Sequence, residues 1–401
     1  MKAAKLGTED VTFSDRISKL PDDLLLQILS LVPISDAMKT SLLSKRWRSL
    51  WKMMPVLKYD ENTCPNTGSL GFVDVCTRSL QLHETPLLKS LKLEQKRHSN
   101  SCLKWPIFQN NSRVLQNLVV LKLYTTNLDF ADSGESLPVC FRSLKSLHLF
   151  RVTLKDTKSF CRLLSACPVL EDLFFFIVSL RSTNTRNLFT ISVPSLQRLE
   201  IYSSYLTTFD SRFERNAPSL KYLVVKDFTS RFKFTEVTVH ESKTGKLMKF
   251  LTSLEHLSIG LYPSMASHLT GTSISNRLLH LELNIYSDIH LNLLVRLLRD
   301  APKLRALKLN HVNSQFSLYT EDQPSSVPEC LSFHLETLQW IGYERTLEER
   351  ESAVYILKNA HRLKTATFSL RSSTTDHRML MIKDLRSMTK ASASCQLVIK
   401  F

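Results

Sequence analysis

Tyr124, Phe150, Phe176 and Tyr202 follow one another at intervals of 26 residues, and no other set in this chain is so regularly spaced for a chemical task. The task they suit is recognition, because aromatic rings on one face give a partner large contact area at low conformational entropy loss. Phe174 and Tyr222 occupy other outward positions of the same pattern and widen the set. Such rings can also stack on each other and merely stiffen a sheet, so target binding and structural stacking both stand as readings here. Residues suited to bond-making are poorly arranged. The eight cysteines include no C-x-x-C pair and no histidine at metal-ligand spacing. The chain has no Gly-rich phosphate loop, no His-Glu-x-x-His pair and no G-x-S-x-G elbow. The expectation is a non-enzyme without catalytic residues, metal site or cofactor.

The aromatic spacing belongs to a longer phrase: a leucine, two residues, a leucine, one residue, a third apolar residue. It opens at Leu118, Leu144, Leu170 and Leu196, and less regularly at Leu88, Leu220, Leu254, Leu278, Leu304, Leu335 and Leu363, eleven copies in all. Self-similarity at a period of roughly 20 to 29 residues with this apolar grammar is the signature of leucine-rich repeats, whose units bury their apolar edges only by stacking. The second and third apolar residues are two apart and so point to one side of a strand. Helices are predicted before some strands: Phe160, Leu163 and Leu164 stop at Pro168, and Leu291, Leu294 and Leu298 stop at Pro302. The predicted fold is α/β, a solenoid with a parallel sheet on its concave side and helices outside. The rings then lie in a column on that concave side, about 4.7–4.9 Å apart.

Composition narrows the function further. A chain of 401 residues exceeds what one compact core serves, roughly 250–300 residues, and a stacked array resolves that. The net charge of +16 invites nucleic acid, but it is spread as +3 over residues 1–60, +10 over the middle and +3 over residues 328–401. Without a block of basic residues, no nucleic-acid partner is expected. No apolar run is long enough to suggest a membrane span or a secretory signal, so an intracellular protein, nuclear and/or cytoplasmic, is expected.

The first sixty residues follow a different pattern. Leu25, Ile28, Leu29 and Val32 fall on one helical face after Pro21, with Asp22 and Asp23 favouring that helix start. Ser35 and Asp36 offer N-caps for a second short helix through Leu43, and Trp47, Leu50, Trp51 and Met54 mark a third. Leu20-Pro21-x-x-Leu24, Ile28-Leu29 and Ser41-Leu42-Leu43-Ser44-Lys45-Arg46-Trp47-Arg48-x-Leu50-Trp51 together resemble the F-box. The resemblance implies docking on a Skp-type adaptor and, through it, a cullin-RING ligase, with Leu20, Pro21, Leu24, Ile28 and Leu29 as contacts and Trp47 and Trp51 partly core.

Pro328-Glu329-Cys330-Leu331 and Ile356-Leu357-Lys358-Asn359-Ala360 resemble the FBD domain of plant F-box proteins. Read from its residues alone, this segment is a terminal repeat plus cap: Ala353, Ile356, Leu357 and Ala360 mark a helix, and Gln396–Phe401 a final strand. The expected division is a disordered N-terminus at 1–13, an F-box at 14–60, and a linker and start of the solenoid at 61–85. Leucine-rich repeats follow at 86–327, and an FBD domain with terminal repeats and cap at 328–401. The resemblance, to the plant F-box/FBD/leucine-rich-repeat family, implies a substrate-recognition adaptor of an SCF-type E3 ubiquitin ligase that binds an unknown target protein. The alternative is a non-ligase interaction scaffold that keeps an F-box-like cap.

Overall fold

The structure is a computed structural model. It describes residues 16–63, 71–84, 88–96, 103–104, 112–129, 140–154, 156–176, 179–180, 188–203, 212–227, 233–235, 253–261, 276–285, 291–312, 326–371 and 374–401. The segment 1–13 expected to be disordered lies outside the described residues.

Short helices come first. Pro21, with φ fixed at −58°, caps the helix Asp22–Leu29, whose inner face buries Leu25 and Leu29 completely or nearly so. The second helix, Ile34–Lys39, is capped by Pro33 instead of Ser35 or Asp36, because the proline ring already holds the φ a helix entrance needs. It tightens into a 3₁₀ turn, Thr40–Leu42, and the chain turns again into Trp47–Leu50 and the 3₁₀ turn Trp51–Met53. Trp47, Leu50, Trp51 and Met54 are all core. Arg46 ties this unit together across 24 residues, its Nε donating to Asp22 Oδ1 at 2.8 Å.

Among the described residues thirteen strands form one sheet, and every neighbouring pair is parallel. The leucine phrase is their core register: Leu121, Leu123, Leu147, Leu149, Leu307 and Leu309 are essentially inaccessible. At each step the same backbone geometry recurs. The two amides after an opening leucine donate to one carbonyl of the preceding turn, as Lys145 and Ser146 do to Val119 O, and Glu171 and Asp172 to Lys145 O. Identical bonds at each step fix a common register, so a side-chain type repeated in sequence becomes a straight column on the sheet.

Two strands lie beyond the eleven phrase copies, Val56–Asp60 at the start and Gln396–Lys400 at the end, the second as expected. The first follows directly from the short helices, since Met54-x-x-Leu57-x-Tyr59 is a degenerate copy of the phrase with its three residues buried. Between it and the next strand, in the stretch 61–85 expected as linker and start of the solenoid, stands the helix Phe72–Leu82. Cys76 and Leu80 of that helix are core, and its Ser79 hydroxyl meets Tyr59 Oη at 2.8 Å.

The outer side of the array is mixed. The expected helices form at Thr157–Ser165, where Asp156 caps by accepting the Ser159 amide at 2.8 Å, and at Leu291–Arg299. Short strands also form on this side, in the same unit as a helix at Thr153–Leu154 and without one in others. Leu103–Lys104, Asn127–Asp129, Thr153–Leu154 and Ser179–Leu180 make one small sheet, and Leu188–Ser192, Arg212–Asn216 and Lys233–Thr235 another.

The C-terminal part continues the same sheet. The helix Leu347–Asn359 begins with a capping box between Thr346 and Glu349 and buries Ala353, Ile356 and Leu357, and Ala360 ends it. A further helix, Thr375–Ser387, was not foreseen. Its apolar residues, Met379 to Met381, Ile382 and Leu385, mix a buried pair with exposed neighbours, so no clean helical face is written in the sequence. Trp340, Tyr343 and Phe368 pack at ring separations of 5.3 to 6.0 Å in the centre of this region.

Candidate protein-docking surfaces

Two surfaces carry the residues singled out above. On the first helix and the turn that follows it, residues three and four apart divide between two faces. Leu25 and Leu29 point inward, while Leu24, Ile28 and Leu31, spaced i, i+4 and i+7, are 43%, 46% and 80% exposed. Pro21 is exposed and Leu20 half-buried. Leu29, expected as a contact, is 3% exposed and belongs to the core, where it holds the helix that presents its neighbours. Ile17, Leu42 and Leu43 are also exposed, the last two at 87% and 68%. Leu42 and Leu43 end the 3₁₀ turn Thr40–Leu42, and the signal of their exposure is two consecutive leucines on a turn too short to bury both. An apolar group of this kind on so small a unit is a surface that water penalises and a partner relieves.

The second surface is the solvent face of the sheet. Tyr124, Phe150, Phe176 and Tyr202 occupy the same register position on consecutive strands, and all four are half-buried. Ring centroids lie 5.5, 4.7 and 6.2 Å apart along the column, with Phe150 and Phe176 stacked at 11°. Phe174 sits one column away on the same face and reaches Tyr202 at 5.3 Å and His148 at 5.5 Å. Cations flank the rings: Lys92 Nζ lies 4.7 Å from the Tyr124 centroid and Lys226 Nζ 5.8 Å from that of Tyr202. The strand ends behind Tyr124 and Phe150 at Thr125 and Arg151, both at positive φ, whose amides donate to Phe150 O and Phe176 O.

Tyr222 does not join that column. It stacks on His256 at 4.1 Å and 9°, with the Arg198 guanidinium 4.0 Å from its other side, and His280 continues the stack 5.8 Å from His256. Burial, then the neighbouring His280, draws the His256 imidazole down to about 4, so it is neutral in the stack at neutral pH. Glu200 links the two stacks. It accepts from the Tyr202 hydroxyl at 3.3 Å and lies 3.4 Å from Arg198, and burial with Glu200 alongside pushes the Tyr202 hydroxyl up to about 12.

Beyond the second stack a pocket of about 500 Å³ opens on the same face, lined by His256, His280, Glu282, Lys308, Gln339 and Lys400 among others. Burial acts to raise the Glu282 carboxyl, but Lys308 and Lys226 together outweigh it and hold it below the usual carboxylate value. Its Oε1 receives Asn310 Nδ2 at 2.6 Å, Lys308 Nζ at 3.3 Å and Lys226 Nζ at 3.8 Å.

Two of the buried cysteines, Cys167 and Cys330, are not poised for chemistry. Burial pushes the Cys167 and Cys330 thiols up to about 12, far from the thiolate a nucleophile needs. Among the described residues no three His, Cys, Asp or Glu side chains are grouped to hold a metal ion, and no helix is long and apolar enough to cross a membrane.

Comparison with known proteins supplies the family context. Residues 17–59 match the family model for the F-box domain, residues 323–368 that for FBD, and residues 88–309 that for the LRR repeats of the FBD-associated F-box protein At5g56370. Three proteins of Arabidopsis thaliana are similar along their whole length. The F-box/FBD/LRR-repeat protein At5g56810 is 52% identical, the alignment covering 100% of both chains. The FBD-associated F-box protein At5g56820 is 44% identical over 100% of this chain and 98% of its own, and the F-box/FBD/LRR-repeat protein At5g56420 is 37% identical over 97% and 99%.

Proposed function

The chain belongs to the F-box/FBD/LRR-repeat family of plant proteins, and from that membership we propose that it is the substrate-recognition subunit of an SCF-type E3 ubiquitin ligase. The short N-terminal helices dock on a Skp-type adaptor, and the solvent face of the sheet holds the target protein. The chain does no bond-making itself. By holding a target beside a ubiquitin-charged enzyme it turns an encounter between dilute molecules into a reaction at high effective concentration.

The observation that carries this reading is the exposed apolar row Leu24, Ile28 and Leu31, with Leu42 and Leu43, inside the F-box match. Anchors of this type at a helix contact are worth about 2 kcal/mol or more each. The variant Leu24→Asp with Ile28→Asp therefore loses adaptor capture by about a hundredfold or more. Its thermal stability falls by no more than about 1 kcal/mol, because neither side chain belongs to the core. Leu20 and Pro21 make poorer probes, one being partly core and the other the helix cap. Equal capture of the adaptor by variant and wild type refutes the assignment. Capture of the adaptor without cullin makes the chain an interaction scaffold.

A further inference from the structure

Both stacks and the pocket lie on one diagonal of the solvent face. The Tyr124–Tyr202 column stands near the C-terminal ends of its strands, the Tyr222–His256–His280 stack at the N-terminal ends of the next ones, and the pocket at Lys308 adjoins that stack. From the strand of Tyr124 to that of Lys308 there are seven strand steps, about 34 Å at ~4.8 Å each, which an extended peptide spans in about ten residues. The two ends of the diagonal differ chemically. The first is apolar, its four rings half-exposed. The second is cationic, since Lys308 and Lys226 converge on one oxygen of a single carboxylate, leaving one positive charge in excess, and Lys400 adds another at the pocket. Gln339, Thr365 and Thr367 contribute uncharged donors to the same wall.

We propose that the target-binding face takes an extended segment of about ten residues with aromatic or aliphatic residues on the Tyr124–Tyr202 column and Asp or Glu in the Lys308–Lys400 pocket. This rests on the reading that the sheet face binds the target, and charge complementarity selects the occupant. A basic segment would bring its cations against Lys226, Lys308 and Lys400, and a wholly apolar one would leave the polar wall of the pocket desolvated and unpaired.

Selection of a phage-displayed library of random peptides, about twelve residues long, on the full chain tests it. The expected consensus places apolar residues in one half and acidic residues in the other. A synthetic peptide of that consensus binds at least about tenfold more weakly to Lys308→Glu with Lys400→Glu, and similarly to Phe150→Ser with Phe176→Ser. The acidic half also makes binding weaken with salt. Lys308→Gln, which leaves the sheet core untouched, gives a smaller loss in the same direction. A basic or uncharged consensus, failure to enrich any peptide, or binding indifferent to both double variants overturns the proposal. Adaptor capture, measured on the same proteins, separates this from the ligase assignment: it is unaffected by these substitutions, and its failure in wild type leaves the peptide result standing.

Discussion

Gly342 gives the sharpest test of how the C-terminal region joins the repeats. It stands at φ +78° at a register irregularity between Ile341 and Tyr343, and a Cβ added there would lie 2.7 Å from the backbone oxygen of His311 on the preceding strand. A left-handed backbone disfavours alanine by about 1–2 kcal/mol. A carbon–oxygen contact that short does not persist, so the strand Thr337–Tyr343 must also move away from Ala306–His311. Movement there disturbs Tyr343, packed between Trp340 and Phe368, and the buried His311–Glu349 hydrogen bond of 2.8 Å. Gly342→Ala is expected to destabilise this junction by about 3 kcal/mol in all. Repeat arrays pass stability between nearest neighbours, so the loss is local. Hydrogen exchange then shows protection of these two strands falling by about a hundredfold while that of Val120–Tyr124 is retained. Gly71→Ala is the control, with its Cβ 3.6 Å from Asp74 Oδ2 in ordinary contact and an expected effect below about 1 kcal/mol. Protection of the two strands changed by less than about threefold, or lost evenly along the array, refutes the steric argument.

Four further outcomes are expected. Phe175→Ala, at a 5% exposed core position, lowers stability by about 3–5 kcal/mol in denaturant unfolding, while the adjacent Phe174→Ala, on the solvent face, lowers it by about 1 kcal/mol; similar losses would mean the strand is registered wrongly. Tyr343→Phe leaves stability unchanged or raises it by up to about 1 kcal/mol, because the buried hydroxyl has no hydrogen-bond partner among the described residues, and a clear loss of melting temperature counts against this. Glu349→Gln weakens the acceptor of the His311 Nδ1 and of the Glu344 and Thr346 amides, and denaturant unfolding should record a loss of about 1–3 kcal/mol; an unchanged midpoint would remove the pair from the junction. His256, held at about 4 against an ordinary 6.5, is disfavoured as the cation in the fold, so stability is complete above pH 6.5 and falls as pH drops towards 4. With solvent screening at this partly exposed ring the fall is about 1–2 kcal/mol, and His256→Gln should flatten that limb of a melting-temperature profile, equal slopes arguing otherwise.

Much of the fold was legible in the sequence because a repeat states its own register. Leu118, Leu144, Leu170 and Leu196 at a constant interval mark buried positions just ahead of successive strands, and the aromatic column follows from counting three residues past the second leucine. The outer side was not legible in this way, because helix and short strand can both bridge a turn whose inner residues are already fixed. The strand Val56–Asp60 was hidden by Met54 and Tyr59 standing in for leucines, and the helix Phe72–Leu82 falls in the stretch expected as linker and start of the solenoid, where no leucine phrase marks it.

The candidate sites divide on the same principle. Periodicity placed Leu25, Ile28, Leu29 and Val32 on one helical face, yet only the packing of the first helix against Trp47–Leu50 and Trp51–Met53 decides that Leu25 and Leu29 are covered and Leu24, Ile28 and Leu31 are exposed. Likewise the sequence determined that four rings share a column. The tertiary structure alone decided that Tyr222, at another outward position, stacks with Arg198 and His256, and that Lys226, Glu282, Lys308 and Lys400, from four separate strands, meet beside that stack. Periodic spacing fixes what neighbouring strands put at one register position. Which side chains lean across columns to share charge depends on the space and counter-charge left by residues far away in the chain.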